Sequence, residues 1–188
     1  MNIAGVILAG GQSSRYGQPK MFEPFRGEAL YKQSLYALQA NQLHPIIIAT
    51  NAKLQHRFEQ EGIVFSIEQT MHQGPLAALS QVMHTYPNDW FFVVASDMPY
   101  MNATFVHSLM QYCTPDVYAV VPKQQAYIQT LAALYHRKTL PFIDALLSNN
   151  RRSIKALLAQ VPVNYVPFAD NEPTFININR QQDWQKEL

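Results

Sequence analysis

Residues 6–20 read VILAGGQSSRYGQPK: an aliphatic run that breaks into paired glycines, paired serines, an arginine and a lysine. The run from Ile3 to Ala9 has the length and composition of a buried strand. The polar stretch after it has the composition of a phosphate loop, yet it fits neither of the two common patterns. A Walker A loop needs Lys and Ser or Thr directly after its second glycine, and here Gly17 is followed by Gln18, Pro19 and Lys20. A dinucleotide fingerprint needs G-x-G-x-x-G, and Gly10-Gly11-Gln12 breaks that spacing. Gly10 and Gly11 still allow close backbone approach and positive φ, and successive N–H groups there can form an anion nest. Arg15 offers a fork of donors, Lys20 a mobile point charge, and Ser13 and Ser14 hydroxyls. The first carboxylate of the chain is Glu23, so nothing before it repels an anion. A tight strand–helix turn with two solvated cations is the alternative; phosphate binding is the favoured reading.

Outward from this loop, short apolar runs recur at Pro45–Thr50, Ile63–Ile67, Trp90–Ala95 and Val117–Pro122. Apolar on both faces, they suit central parallel strands covered by helices. Helical stretches lie between them: one places Leu30, Ser34, Leu35 and Leu38 on one face, one opens at Pro75 and runs to about Tyr86, and one is capped by Asn102. Strand alternating with helix predicts an α/β fold with a mostly parallel, mixed central sheet flanked by helices. Farther on, Leu131–His136 reads as another strand, with antiparallel pairing open to it. Arg137–Leu147 and Ser153–Gln160 read as helical, Val163–Val166 and Thr174–Ile178 as extended, and Gln181–Leu188 as a final helix. With no repeat or long linker, residues 1–188 read as a single domain.

The chain has 188 residues, 48% hydrophobic and 14% charged, against a usual charged share of about a quarter. Disorder is not expected at that balance. A net charge of +1 gives no bulk drive toward nucleic acid or membrane, and no basic aromatic stripe suggests a DNA-binding module. The single cysteine, Cys113, rules out an internal disulfide and is expected in or beside the core at a helix end. The six histidines form no zinc-type pair. Ile3–Ala9 is too short to span a bilayer and lacks a basic flank, so a cytoplasmic protein is expected.

In open parallel sheets, ligands sit beyond the carboxyl ends of the strands. Carboxylates are scarce there: between Gly62 and Pro115 only Glu68, Asp89 and Asp97 occur. Asp89 precedes its strand, whereas Asp97 follows Trp90–Ala95 directly. Mg²⁺ typically takes one or two carboxylates plus substrate phosphates, which makes Asp97 the leading metal ligand. The alternative is that Asp97 turns the chain before Pro99 or caps the next helix.

Together these residues resemble the molybdenum cofactor guanylyltransferases of the MobA type, a family of nucleotidyltransferases. The family opening, L-A-G-G-x-S-x-R-[MF]-G-x-x-K, is followed from Leu8 to Lys20 with Tyr16 at the Met-or-Phe position. Its T-N motif is matched by Thr50-Asn51, its G-P-L-A segment by Gly74-Pro75-Leu76-Ala77, its D-x-P motif by Asp97-Met98-Pro99, and its N-x-N segment by Asn177-Ile178-Asn179. The resemblance implies a Rossmann-like nucleotidyltransferase fold, Mg²⁺ as cofactor, and transfer of GMP from GTP to molybdopterin with release of pyrophosphate. It implies that Gly10, Gly11, Arg15 and Lys20 hold the triphosphate, that Asp97 binds Mg²⁺, and that Leu8, Ala9 and Gly10 line the base and ribose edge near Asn51. Proteins that deliver the cofactor and molybdoenzymes that receive it would be its partners.

The sequence departs from the pattern at two further points. The family usually has an Asp shortly before G-P-L-A, assigned to nucleotide recognition; VFSIEQTMHQGPL contains none, and Glu68 lies within one residue of its place. Ala78 replaces a further glycine. The first departure leaves open cytidylyl transfer, transfer to a sugar phosphate, or a weak, regulatory nucleotide binder. Gly74-Pro75 reads as a helix start. Asn177 and Asn179 would orient the acceptor or support the metal, or form a strand edge. Arg151, Arg152 and Lys155 would meet an anionic partner such as the molybdopterin phosphate, or form a solvated face.

Overall fold

The computed structural model describes residues 1–10, 19–68, 73–125 and 127–178. Their strands are β1 (Ile3–Leu8), β2 (Pro24–Phe25), β3 (Glu28–Ala29), β4 (Ile46–Thr50), β5 (Val64–Ile67), β6 (Trp90–Ala95), β7 (Ala119–Gln124), β8 (Tyr127–Ile128), β9 (Ala132–His136) and β10 (Val163–Pro167). Their helices are α1 (Tyr31–Ala40), α2 (Pro75–Thr85), α3 (Ala103–Met110), α4 (Leu140–Ser148) and α5 (Ile154–Leu158).

One mixed sheet runs β10-β7-β9-β6-β1-β4-β5, with β8 paired to β7. Strands β6, β1, β4 and β5 are mutually parallel, and β9 is antiparallel to both β6 and β7. The strand expected at Leu131–His136 is therefore the antiparallel one. The aliphatic runs explain the sheet: side chains alternate between its two faces, and both faces are covered. Ile3, Ile7, Ile48, Phe92 and Val94 join one core layer with α1 and α3. Ala4, Val6, Ile47, Phe91 and Val93 join the other with α2, α4 and α5. Gly5 lets α1 sit close to β1, since a Cβ there would stand 2.8 Å from Ile46 Cδ1 and 3.0 Å from Leu38 Cδ1.

Local signals set the helix starts. The Asn102 side chain accepts from the Phe105 N–H at 2.9 Å, Ser153 caps α5 through Ala156 N, and α2 opens with Gly74 at φ 84° followed by Pro75. Only glycine adopts that φ without strain, so Gly74-Pro75 is a structural helix start. Ala78 is buried on α2, where a side chain is accommodated.

Three expectations need correction. The strand placed at Val117–Pro122 is Ala119–Gln124, because Lys123 and Gln124 gain partners in β8. Val64–Ile67 is an edge strand rather than a central one, and Val64 is exposed. The Thr174–Ile178 segment is not a strand. Glu172 caps a 3-10 turn at Pro173–Phe175 through Thr174 N and Oγ1, which bends the chain instead of extending it. The expected helix at Gln181–Leu188 lies outside the described residues. No helix among those described is long and apolar enough to cross a membrane.

Candidate active site

The carboxyl ends of β6, β1, β4 and β5 form one rim, which brings the sequence-predicted residues together. Past β6, Ser96 N donates to Leu8 O at 3.1 Å, tying the start of the Asp97 loop to β1. Past β1, Ala9 N donates to Ala49 O at 2.8 Å, and the Thr50 hydroxyl donates to Ala9 O at 3.0 Å. Past β5, Glu68 N donates to Thr50 O at 2.8 Å. Gly10, Asn51, Glu68 and Asp97 are thus fixed to successive ends of a single hydrogen-bonded sheet.

Lys20 reaches this rim from the far side of the glycine loop. Its Nζ lies 2.6 Å from Asp97 Oδ2, with both side chains 17% exposed. The same Nζ donates to Ile178 O at 2.8 Å, and Ile178 N donates to Asp97 O at 3.1 Å. Ile178, itself fully buried, therefore grips both partners through its backbone. Asp97 does not cap α3, which Asn102 does. Its carboxylate belongs to the rim.

Glu68 sits against Gly10. A Cβ built on Gly10 would overlap the Glu68 carboxylate and stand 2.8 Å from its Cδ. Glycine at position 10 is what lets the Glu68 carboxylate come this close; its φ is not left-handed. Gln81 on α2 donates to Ser66 Oγ at 3.0 Å and to Ile67 O at 2.7 Å, pinning the strand end that carries Glu68. Asn51 is buried, and its Oδ1 accepts from Lys53 N at 3.0 Å and Leu54 N at 3.2 Å. That oxygen holds the turn after β4. Ala9 is buried beneath the rim, and Leu8 packs into the core layer of α2.

The remaining candidates are more scattered. Gly11, Ser13, Ser14, Arg15 and Asn179 lie outside the described residues. Asn177 is exposed, beside the Ile178 backbone that does the binding. Arg151 and Arg152 are exposed after α4. Ser80 meets Asp144 and Thr139 meets Met83, so α4 runs antiparallel to α2, and the two arginines follow its end at Ser148. Sequence reasoning missed Ile178 and Gln81. Ile178 acts through backbone atoms, which no side-chain pattern marks, whereas the T-N motif did flag Thr50.

The sequence profile of the MobA-like NTP transferase domain matches residues 5–164, which include most of β1 together with Lys20, Glu68 and Asp97. The chain belongs to the MobA-like NTP transferase family. Two curated members illustrate the relationship, both named "Probable molybdenum cofactor guanylyltransferase". One, from Geobacillus sp. (strain WCH70), is 33% identical over 97% of this chain and 96% of its own length. The other, from Bacillus cereus (strain B4264), is 32% identical over 98% of this chain and 96% of its own. The crystal structure of molybdopterin-guanine dinucleotide biosynthesis protein A from Archaeoglobus fulgidus superposes with a TM-score of 0.79 at 22% identity, covering 99% of this chain and 96% of that one. A CMP:2-keto-3-deoxy-manno-octonic acid synthetase complexed with CTP gives 0.80 at 16% identity, over 100% and 97%. At such identities the likeness concerns the fold, the Rossmann-like nucleotidyltransferase fold expected from the sequence. As a member of the MobA-like family the chain is a nucleotidyltransferase.

Proposed function

We propose that this enzyme transfers GMP from GTP to molybdenum-molybdopterin, forming the guanine dinucleotide cofactor and releasing pyrophosphate. The observation that carries the reading is the Lys20–Asp97 pair at the carboxyl rim, latched by Ile178 and set beside Gly10 and Glu68. The names of its relatives supply the acceptor and the base.

A terminal phosphate oxygen of the acceptor attacks the α-phosphorus of GTP, forming a new P–O bond. The bond from that phosphorus to the bridging oxygen breaks, and pyrophosphate leaves with the electron pair. No covalent enzyme intermediate is needed, so catalysis rests on positioning and charge neutralisation. Lys20 neutralises the triphosphate, and Arg15, with the Gly10–Gly11 backbone, adds donors to it. Glu68 accepts from the N1–H and amine of guanine. Leu8, Ala9 and Asn51 form the floor of the base and ribose site.

Asp97 is a hard carboxylate at the place where the phosphates would lie, a donor that suits Mg²⁺. Bound there, Mg²⁺ would neutralise phosphate charge, with Asp97 as its ligand from this chain. Arg151, Arg152, Asn177 and Asn179 are candidates for contact with the acceptor. Cytidylyl transfer is not favoured, since a carboxylate beside Gly10 matches the donor edge of guanine, and transfer to a sugar phosphate is not favoured, since the relatives are named for the molybdenum cofactor.

The experiment is a thermal-shift panel of GTP, CTP, ATP and UTP with and without Mg²⁺, followed by a transfer assay with molybdopterin. A ligand at a hundred times its Kd stabilises by about 2.7 kcal/mol. The expected result is a GTP-selective shift and a guanine dinucleotide product; a CTP-selective shift or a cytosine product would overturn the assignment of the base.

A further inference from the structure

The β7–β8 hairpin and the segment around Asp170 enclose a cavity of about 330 Å³ lined by Gln124, Gln125, Tyr127, Ile128, Gln129 and Asp170. That volume lies in the range of roughly 300–1,000 Å³ found for small-molecule sites. Strand register fixes its position. Val120 pairs with Leu134 and Val94 with Ala132 along β9, so the same ladder carries Lys123 and Gln124 to the level of Ala95 and Ser96. The turn between β8 and β9 is tied to both sides: Gln129 N donates to Pro122 O at 2.9 Å, and Ala95 N to Leu131 O at 3.0 Å. The cavity therefore lies on the same rim as Asp97, two strand spacings or about 10 Å away. Gly10, Asn51 and Glu68 lie on the opposite side, at the ends of β1, β4 and β5.

Among the described residues the lining carries three glutamine amides, one carboxylate, Tyr127 and Ile128, and no cation. Gln124 Nε2 donates to Ala169 O at 2.8 Å and Asp170 O at 3.1 Å, Gln129 Nε2 donates to Gln124 Oε1 at 2.9 Å, and Gln125 Nε2 donates to the Asp170 carboxylate. These bonds orient the groups without exhausting them. A carboxylate offers about four acceptor positions, and each amide both donates and accepts. Tyr127 is 76% exposed, a large flat ring at the cavity wall able to stack on another ring. Asp170 disfavours a phosphate here. The lining suits an uncharged heteroaromatic ring whose edge carries an exocyclic amine, a ring N–H and a lactam oxygen.

We propose that this cavity binds the pterin ring of the acceptor. Asp170 takes the amine and ring N–H, the glutamine amides meet the lactam, and Tyr127 stacks on the ring. The acceptor's phosphate, at the other end of the molecule, then extends along the rim toward Asp97. The proposal rests on the reading of the acceptor as molybdopterin.

The test is a titration of unsubstituted pterin, followed by its fluorescence anisotropy with the nucleotide site saturated by GTP, on the wild type, Asp170→Asn and Tyr127→Ala. Each substitution is expected to weaken pterin binding tenfold or more while leaving GTP affinity and melting temperature unchanged. In the transfer assay the KM for molybdopterin should rise by a similar factor with the KM for GTP constant. Absence of pterin binding to the wild type, or wild-type affinity in both variants, would overturn the proposal. Transfer to molybdopterin with an unaltered KM in both variants would sink the cavity assignment and leave the guanylyltransferase reading standing. Pterin binding lost in the variants, with no transfer by the wild type, would support the cavity and sink that reading instead.

Discussion

The ammonium of Lys20 and the carboxylate of Asp97 are 2.6 Å apart, so the two charges offset each other at the rim. Under the proposed function, nucleotide binding would exchange partners instead of uncovering bare charges, with Lys20 turning to phosphate oxygens and Asp97 to the metal. Ile178 keeps both within reach, since its carbonyl and N–H hold the lysine side chain and the aspartate backbone.

Lys20→Ala should weaken GTP binding by about 1.5–3 kcal/mol, the range for hydrogen bonds to charged groups, and Arg15→Ala should do likewise. Isothermal titration with GTP checks both, and unchanged affinity in the two variants would remove the loop from the site. Asp97→Asn should cut magnesium-dependent turnover at least about a hundredfold, as loss of a preorganised charge-stabilising group commonly does. Circular dichroism should show its fold unchanged; retained turnover would mean that the metal lies elsewhere.

Gly10→Ala should act on the base and not on the fold. The added methyl overlaps the end of a flexible Glu68 side chain, which can swing away. The expected outcome is a reduced preference for GTP over CTP in competition assays, with little change in melting temperature. Glu68→Gln should reduce the same preference, because the amide replaces one of the carboxylate's two acceptor oxygens with an NH2 donor that opposes a guanine N–H.

Gln81→Ala removes a donor shared by Ser66 Oγ and Ile67 O. At about 1 kcal/mol for each hydrogen bond, a loss of about 2 kcal/mol in chemical denaturation is expected. The KM for GTP should rise more than kcat falls, because the effect reaches the nucleotide through the placement of Glu68. An unaltered KM would confine Gln81 to stability.

His136 gives the fold an acid-side sensitivity. Burial and the nearby Lys138 lower its pKa from the usual 6.5, and its Nδ1 accepts from Lys138 N at 2.9 Å, which a protonated ring nitrogen cannot do. The folded pKa lies below the unfolded one, so the unfolded chain binds more protons between them and stability rises with pH there. The contribution is complete above the unfolded value and is lost as pH falls from it through the folded value. His136→Asn retains an acceptor and should flatten that part of the melting temperature–pH curve.

Cys113 is pushed up to about 12 by burial. The thiolate is the reactive form, so native protein near neutral pH should label very slowly with a thiol reagent and quickly in denaturant. Fast native labelling would contradict its packing against the core.

Much of the fold was legible because its strands are continuous aliphatic runs, the signature of a sheet buried on both faces. Ile3–Ala9 and Trp90–Ala95 are the clearest cases, and Asp97 stood out because so few carboxylates share its region. The Thr174–Ile178 segment misled because T-F-I-N-I alternates like a strand. A local cap decides its shape: Glu172 captures Thr174 before any neighbouring strand can. Gln81 looked like one more polar residue on a helix, and only the folded chain brings it to β5. The cavity beside β8 was equally hidden, since its lining comes from a hairpin and from Asp170, far apart along the chain.

The bond from Lys20 to Ile178 joins positions 158 apart. Residues through Ala95 already encode β1, β4, β5 and β6, four adjacent parallel strands. During synthesis from the N-terminus, the strand ends that would face the nucleotide therefore leave the ribosome long before the residue that secures the lysine. A nascent or prematurely terminated chain can hold most of the sheet and still lack this latch. Its last contact comes only once Ile178 has been made, so shorter chains that already hold these strands lack the finished Lys20–Asp97–Ile178 arrangement.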